Sequence, residues 1–225
     1  MGSMISFTGN GGTHNGYLAA AEAGGGPGII VLQEWWGLVP HIKDVADRFA
    51  AAGFTALAPD LYNGETASGP DDAGRLMLAL NIAETEKVLR GAVETLLAHE
   101  ACTSPRVGVI GYCMGGQLAL LAGALNPQVG AVADYYGIHP AVTVDFSNLN
   151  APVLGIFAEK DEFVGPEAVA GLEAAIRQAG KKITTHAFKG VDHAFFNDTR
   201  PEVYNADAAK EAWAKSLAFF SDNLK

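Results

Sequence analysis

The stretch Val107-Gly108-Val109-Ile110-Gly111-Tyr112-Cys113-Met114-Gly115-Gly116, followed at once by Gln117-Leu118-Ala119-Leu120-Leu121-Ala122-Gly123, constrains this chain more than any other. A β-branched apolar run, a glycine, a lone thiol and two further glycines lead into an Ala/Leu-rich helical pattern. The segment reads as a strand, a tight turn and a helix. A turn that sharp leaves no room for β-carbons where strand and helix approach, so glycines flank a residue held in a strained conformation. Cys113 occupies the nucleophile slot of this G-x-Nu-x-G turn and is the candidate nucleophile. The helix N-terminus that follows it favours a thiolate, through unpaired backbone N–H groups and the helix dipole. The plainer alternative is a small apolar residue buried among glycines that only let helix and sheet pack closely.

The rest of the chain has to build a fold around that turn. Ile5-Ser6-Phe7-Thr8 and His14 to Ala20, split by Gly9-Asn10-Gly11-Gly12, suggest an antiparallel hairpin at a sheet edge. Gly28 to Gln33 reads as a strand buried on both faces, and Ile42, Val45, Ala46 and Phe49 space out as one face of a helix. Phe54 to Ala58 is the next strand, and a mostly helical stretch from Asp71 to about His99 has a break near Asn81. Further strands are expected at 129–137, 152–158 and 182–188, with helices from about Pro166 to Gln178 and from Ala206 to Asn223. This alternation predicts an α/β fold, one mostly parallel sheet with helices on both faces. Residues 4–225 read as a single domain, and Met1-Gly2-Ser3 ahead of a second methionine reads as a cloning remnant.

In such a sheet the loops after the strand C-termini meet along one edge, so distant residues converge there. Asp161 follows one strand and His193 follows the last, giving the order nucleophile, acid, histidine. His193 can take the thiol proton and later return one to a leaving group, while Asp161 orients the ring and favours the imidazolium. Asp134 lies inside a strand and Asp192 is too near His193 in sequence, so Asp161 is the preferred acid. Of the other histidines, His41 and His139 lie in loops that could approach the site. Glu34 ends the first central strand at the same edge, ahead of Trp35 and Trp36, which could wall a pocket; its plainer reading is a solvated loop carboxylate.

Composition excludes several classes of function. A formal charge of −10 argues against nucleic acid or an anionic membrane as partner. Cys102 and Cys113 are the only cysteines and neither sits in a metal-ligand spacing, which excludes a disulfide scaffold and a structural zinc site. Cys102 precedes the elbow strand and is badly placed to resolve an oxidised Cys113, which counts against a redox protein. The glycine-rich turn lacks the Lys-Ser/Thr ending of a phosphate-binding loop. No signal segment or membrane-length apolar run is visible, and the expected location is the cytoplasm.

Gln33-Glu34-Trp35-Trp36-Gly37, Ala58-Pro59-Asp60-Leu61-Tyr62, the Cys113 turn, Tyr135-Tyr136-Gly137 and the Asp161 and His193 loops together resemble the dienelactone hydrolase family (carboxymethylenebutenolidases) across nearly the whole chain. The resemblance implies an α/β-hydrolase fold, a Cys-His-Asp triad, and hydrolysis of an ester or lactone without a cofactor; the expected partner is a small-molecule substrate, with no metal, and the expected assembly a monomer or small homo-oligomer. It further implies that Glu34 pairs with the cysteine during activation, and that the Trp35 backbone N–H joins that of Met114 in an oxyanion hole. The family holds a substrate carboxylate with arginines, one of them four residues after the catalytic histidine. That position is Asn197 here, Arg200 lies further along, and Arg75 is a weakly matched candidate for the other contact. Trp35, Trp36, Tyr136 and Phe195 suit a more apolar acyl or aromatic group, so a broader carboxylesterase or thioesterase stays open. So does a non-catalytic binding module on the same fold.

Overall fold

The computed structural model describes residues 1–225 apart from Asn10 and Ala23. Asn10 falls in the expected hairpin turn, which therefore lies partly outside the described residues. The elements are β1 (Ser3–Gly9), β2 (Gly12–Ala19), β3 (Gly28–Leu32), α1 (Pro40–Ala51), β4 (Thr55–Pro59), α2 (Pro70–Ala79), α3 (Ile82–Ala98), β5 (Val107–Tyr112), α4 (Met114–Leu125), β6 (Val129–Tyr135), β7 (Val153–Ala158), α5 (Pro166–Gln178), β8 (Ile183–Phe188) and α6 (Ala206–Asn223). One sheet takes all eight strands in the order β1-β2-β4-β3-β5-β6-β7-β8. β1 and β2 pair antiparallel with each other, as does β2 with β4; every later pairing is parallel. Ser3, in the stretch read as a remnant, opens β1 and pairs with Leu18.

Side-chain alternation along each strand divides the apolar interior into two layers. On β3, Ile29 and Val31 enter one layer with the apolar faces of α1 and α6, while Ile30 and Leu32 enter the other with α3 and α4. The first layer is tied by aromatic rings: Phe49 of α1 lies 4.5 Å from Trp213 and 6.0 Å from Phe220 of α6. The second is aliphatic, with Leu89, Val93 and Leu96 of α3 against Leu118 and Leu121 of α4. Helix α4 is buried nearly all round, because it runs directly behind the central strands. Its burial holds the elbow rigidly. The expected break in the long helical stretch is at Asn81, whose side chain caps α3 by accepting a hydrogen bond from the Glu84 amide at 3.2 Å. Among the described residues, no helix is long and apolar enough to cross a membrane.

Candidate active site

The turn between β5 and α4 is as tight as its glycines require. A β-carbon on Gly111 would stand 1.8 Å from the Gly115 carbonyl oxygen, and one on Gly115 would stand 2.5 Å from the Gln33 carbonyl oxygen. Cys113, between them, has φ 53° and ψ −120°. That is costly for a residue with a β-carbon, about 1–3 kcal/mol, and is held only because the surroundings over-determine it. The Cys113 N–H donates to the Tyr135 carbonyl at 3.0 Å, and its carbonyl accepts from the amides of Gly116 at 2.9 Å and Ile138 at 3.2 Å. Tyr136 (φ 42°) and Ala194 (φ 63°) are strained in the same sense, one beside each loop that faces the elbow. Backbone strain is thus concentrated where Cys113 and His193 are presented.

His193 and Asp161 meet as their positions after β8 and β7 allow. The His193 Nδ1 lies 2.7 Å from Asp161 Oδ2, and Asp161 Oδ1 accepts from the amides of Phe163 and Val164, each at 2.8 Å. Burial alone would raise the Asp161 carboxyl, but the hydrogen bond and charge of His193 and the two amides prevail and hold it below the usual range. For His193, burial works against the charged ring, but the Asp161 hydrogen bond and the adjoining Cys113 sulfur override it and push its pKa up to about 10. The His193 ring is packed between Tyr136, at 4.9 Å, and Phe163, at 5.1 Å.

Glu34 is buried, which excludes the reading of a solvated loop carboxylate. Asn197 Nδ2 donates to Glu34 Oε2 at 2.6 Å, and Asn197 Oδ1 is itself fixed by Thr199, whose hydroxyl donates at 2.7 Å. Glu34 Oε1 has no partner. Burial lifts this carboxyl above its ordinary range, with His41, the Asn197 hydrogen bond, His193 and Arg200 opposing it in that order. Asn197, read from sequence as a pocket residue, thus serves the Glu34 carboxylate.

The remaining candidates divide. Met114 opens α4, so its N–H is among those without an intrahelical acceptor, while its sulfur accepts from the Tyr62 hydroxyl at 3.2 Å. Trp35 and Trp36 pack edge to face at 5.2 Å, and the Arg200 guanidinium lies 5.5 Å over the Trp36 ring. Tyr136 and Phe195 are fully buried, 5.7 Å apart. Arg75 is not gathered in: it is exposed, held by Asp72 at 2.7 Å and Glu65 at 3.7 Å, and lines a cavity of about 370 Å³ with Tyr62 and Asn81. His139 turns into its own loop, accepting from the Ala141 amide at 3.1 Å. Phe163, 61% exposed against the His193 ring, escaped sequence reasoning because a single aromatic in a polar loop carries no pattern. Asp198 escaped it too, although it stands next to Asn197.

The comparisons with known proteins agree with this architecture. The model of the dienelactone hydrolase family matches residues 14–224. "Protein usf" of Aquifex pyrophilus is 37% identical and a putative carboxymethylenebutenolidase of Aquifex aeolicus is 36% identical, each over the whole of both chains. The crystal structure of a putative dienelactone hydrolase from Klebsiella pneumoniae superposes with a TM-score of 0.85 at 28% identity, covering 97% of this chain and 99% of that one. The mostly parallel eight-stranded sheet is accordingly an α/β-hydrolase fold. Matched by the family model along nearly its whole length and by relatives from end to end, the chain belongs to the dienelactone hydrolase family and is a hydrolase.

Proposed function

We propose that the protein hydrolyses a small ester or lactone through a thioester on Cys113. The observation that carries this reading is the arrangement of one strained thiol at the N-terminus of α4, beside an imidazole whose far nitrogen is locked by a buried carboxylate. In this mechanism His193 holds the proton of the Cys113–His193 pair, and Cys113 attacks the carbonyl carbon as a thiolate. The oxyanion that develops is met by the backbone N–H groups of Met114 and Trp35. Collapse breaks the ester C–O bond, and His193 gives its proton to the departing oxygen. Asp161 keeps the ring in the tautomer that allows both transfers. Water then cleaves the thioester, and no step calls for a cofactor or metal. The substrate is a diffusible small molecule, and the enzyme acts in the cytoplasm as a monomer or small homo-oligomer, without nucleic-acid or membrane partners.

A second reading concerns selectivity rather than chemistry. Asn197 is engaged with Glu34, Arg75 with Asp72 and Glu65, and Arg200 lies over Trp36 and bonds Glu202 at 2.8 Å. No pair of free guanidinium groups is presented beside Cys113 among the described residues. That favours an esterase or thioesterase accepting apolar acyl groups over one that requires a substrate carboxylate.

The deciding experiment is single-turnover hydrolysis of dienelactone, p-nitrophenyl acetate and p-nitrophenyl butyrate by wild type and Cys113→Ala, with mass spectrometry of the intact protein. The expected result is an acyl adduct on Cys113 in the wild type and a loss of at least about 10⁴-fold in the variant. A wild type inert to every ester and lactone, or a variant with full activity, overturns the mechanism and leaves the binding-module reading standing.

A further inference from the structure

One large apolar side chain at the triad takes no part in the thioester mechanism. Phe163 stands in the loop after β7 and, among the described residues, is the only phenylalanine of the exposed large apolar side chains. Single exposed apolar residues are ordinary on a protein surface, but this one lies against His193. Its ring meets the imidazole edge to face, at 66°, with centroids 5.1 Å apart. Its position is fixed through the backbone rather than by burial. The Phe163 N–H donates to Asp161 Oδ1 at 2.8 Å, the same oxygen that accepts from the Val164 amide, and the Val164 side chain is buried. The carboxylate that orients the imidazole therefore also sets the aromatic ring beside it.

Two observations decide which half of a substrate this ring faces. The first is the orientation of the imidazole. Its Nδ1 is taken by Asp161, so the proton for a departing oxygen comes from Nε2. The rings against the imidazole are the fully buried Tyr136, at 4.9 Å, and the exposed Phe163, so the way out to solvent runs past Phe163. The second observation is the strand order. β5 leads into Cys113; on one side of it lies β3, followed by Trp35, and on the other lie β6 and then β7, followed by Phe163. In the thioester mechanism the oxyanion faces the Trp35 N–H on the β3 side, while the C–O bond that breaks points to His193. The alcohol half of an ester thus departs across the β7 side. An oxygen about 3 Å from Nε2 brings its first carbons within van der Waals reach of an aromatic ring packed on that imidazole.

We propose that Phe163 is a specificity-determining residue: its exposed ring receives the alcohol half of an open-chain ester and selects flat aromatic groups there, as in benzyl and aryl esters, over short alkyl ones. This deepens the thioester reading of the preceding section and rests on it. An aromatic group seated on Phe163 gains offset or edge-to-face contact, and both rings shed water. The contact lasts only until the C–O bond breaks. Once the alcohol has left, the acyl group on Cys113 carries nothing that reaches Phe163, so the ring governs acylation and not deacylation. A lactone has no separate alcohol half to place there, and the selection concerns open-chain esters alone.

The test compares benzyl acetate with ethyl acetate, esters of two alcohols of similar basicity that leave the same acetyl group on Cys113. Alcohol release is followed for wild type, Phe163→Ala and Phe163→Tyr, and hydrolysis of the acetyl adduct formed from p-nitrophenyl acetate is followed by mass spectrometry of quenched samples. The wild type should favour benzyl acetate in kcat/KM. Phe163→Ala should lower kcat/KM about tenfold for benzyl acetate and no more than about twofold for ethyl acetate, with the adduct hydrolysed at the wild-type rate. Phe163→Tyr, which keeps the ring, should retain the preference. Because the side chain is exposed, its truncation takes nothing from the core. Equal losses on the two esters, or slower hydrolysis of the adduct in Phe163→Ala, would mean that the ring acts by holding His193, and would overturn the assignment while the thioester survives. A wild type that p-nitrophenyl acetate acylates but that does not favour benzyl acetate overturns it as well. Absence of any adduct in the wild type removes both readings.

Discussion

Asp161 and Glu34 are two buried carboxylates at strand ends on the same edge of the sheet, and they are held in opposite ways. Asp161 has a donor on each oxygen and an imidazole as one of them, so its charge is stabilised and its pKa falls. Glu34 has one amide donor, one bare oxygen and no backbone amide among its hydrogen bonds, so burial prevails and its pKa rises. Burial alone does not decide the charge of an acid; the number of donors that reach it does. The first carboxylate is built to stay an anion and orient a ring. The second is built to be able to accept a proton.

The difference breaks most visibly at Asp161. Asp161→Asn keeps the side-chain volume but removes the charge that holds the His193 proton, so kcat should fall by about 10³–10⁴-fold, as measured on p-nitrophenyl acetate. His193 should lose its elevated pKa as well, which an NMR titration of the ring would follow. If kcat changes by less than about tenfold, Asp161 is not the carboxylate that orients the ring.

A third buried acid sharpens the same contrast through stability. Asp134 on β6 has neither oxygen in a hydrogen bond of good geometry, and burial pushes its pKa up to about 7. In the unfolded chain an Asp titrates near 3.9, so between about pH 4 and pH 7 the native state holds the extra proton. Stability from this group is therefore full below about pH 4 and lost as pH rises through 7, by at most about 4 kcal/mol. Urea unfolding at pH 5 and pH 8 should show Asp134→Asn less sensitive to pH than the wild type by up to about 2.7 kcal/mol, the share of that loss that falls between pH 5 and pH 7. An unchanged difference between the two pH values would mean that Asp134 is ionised in the fold.

These three acids also mark how far the sequence can be read. Strand ends place Asp161 and Glu34 at the catalytic edge, because topology puts every such loop on one side of a parallel sheet. The elbow around Cys113 is legible because its glycines are a steric requirement visible in one short window. Donors are another matter. Asn197 reaches Glu34 across 163 residues, and nothing in either local pattern announces the pair. His41 is visible in the sequence, but it stands in the first turn of α1 rather than in a loop, and its partner Asp198 is met only once α1 and the loop after β8 have packed. Arg75 is the converse case: a basic residue of the right type, spent on Asp72 one helical turn away and on Glu65 ahead of the helix.

Removing the single donor of Glu34 tests whether that bond orients the carboxylate or merely fills space. Asn197→Ala should lower kcat by about tenfold or more, since one hydrogen bond of about 1.5–3 kcal/mol to a charged group is lost at a positioned carboxylate. Asn197→Asp should cost more, because it sets a second carboxylate against the first. Rates equal to wild type in both would place Glu34 outside the reaction.

The smallest effect is expected at Arg75, and it bears on substrate choice. Its guanidinium is exposed and shared between Asp72, three residues back along α2, and Glu65, so the interaction is screened by water and contributes little. To bind a substrate carboxylate the side chain would have to give up both partners and leave the cavity it lines. Arg75→Ala should therefore change KM by less than about twofold for dienelactone, a carboxylate, and for p-nitrophenyl acetate, which has none. A KM that rises tenfold for the first and not for the second would show that Arg75 swings into the site when substrate binds. The selectivity argued from the resting ion pairs would then be wrong, and the carboxylate-binding arginine would have come from the helix that here holds it aside.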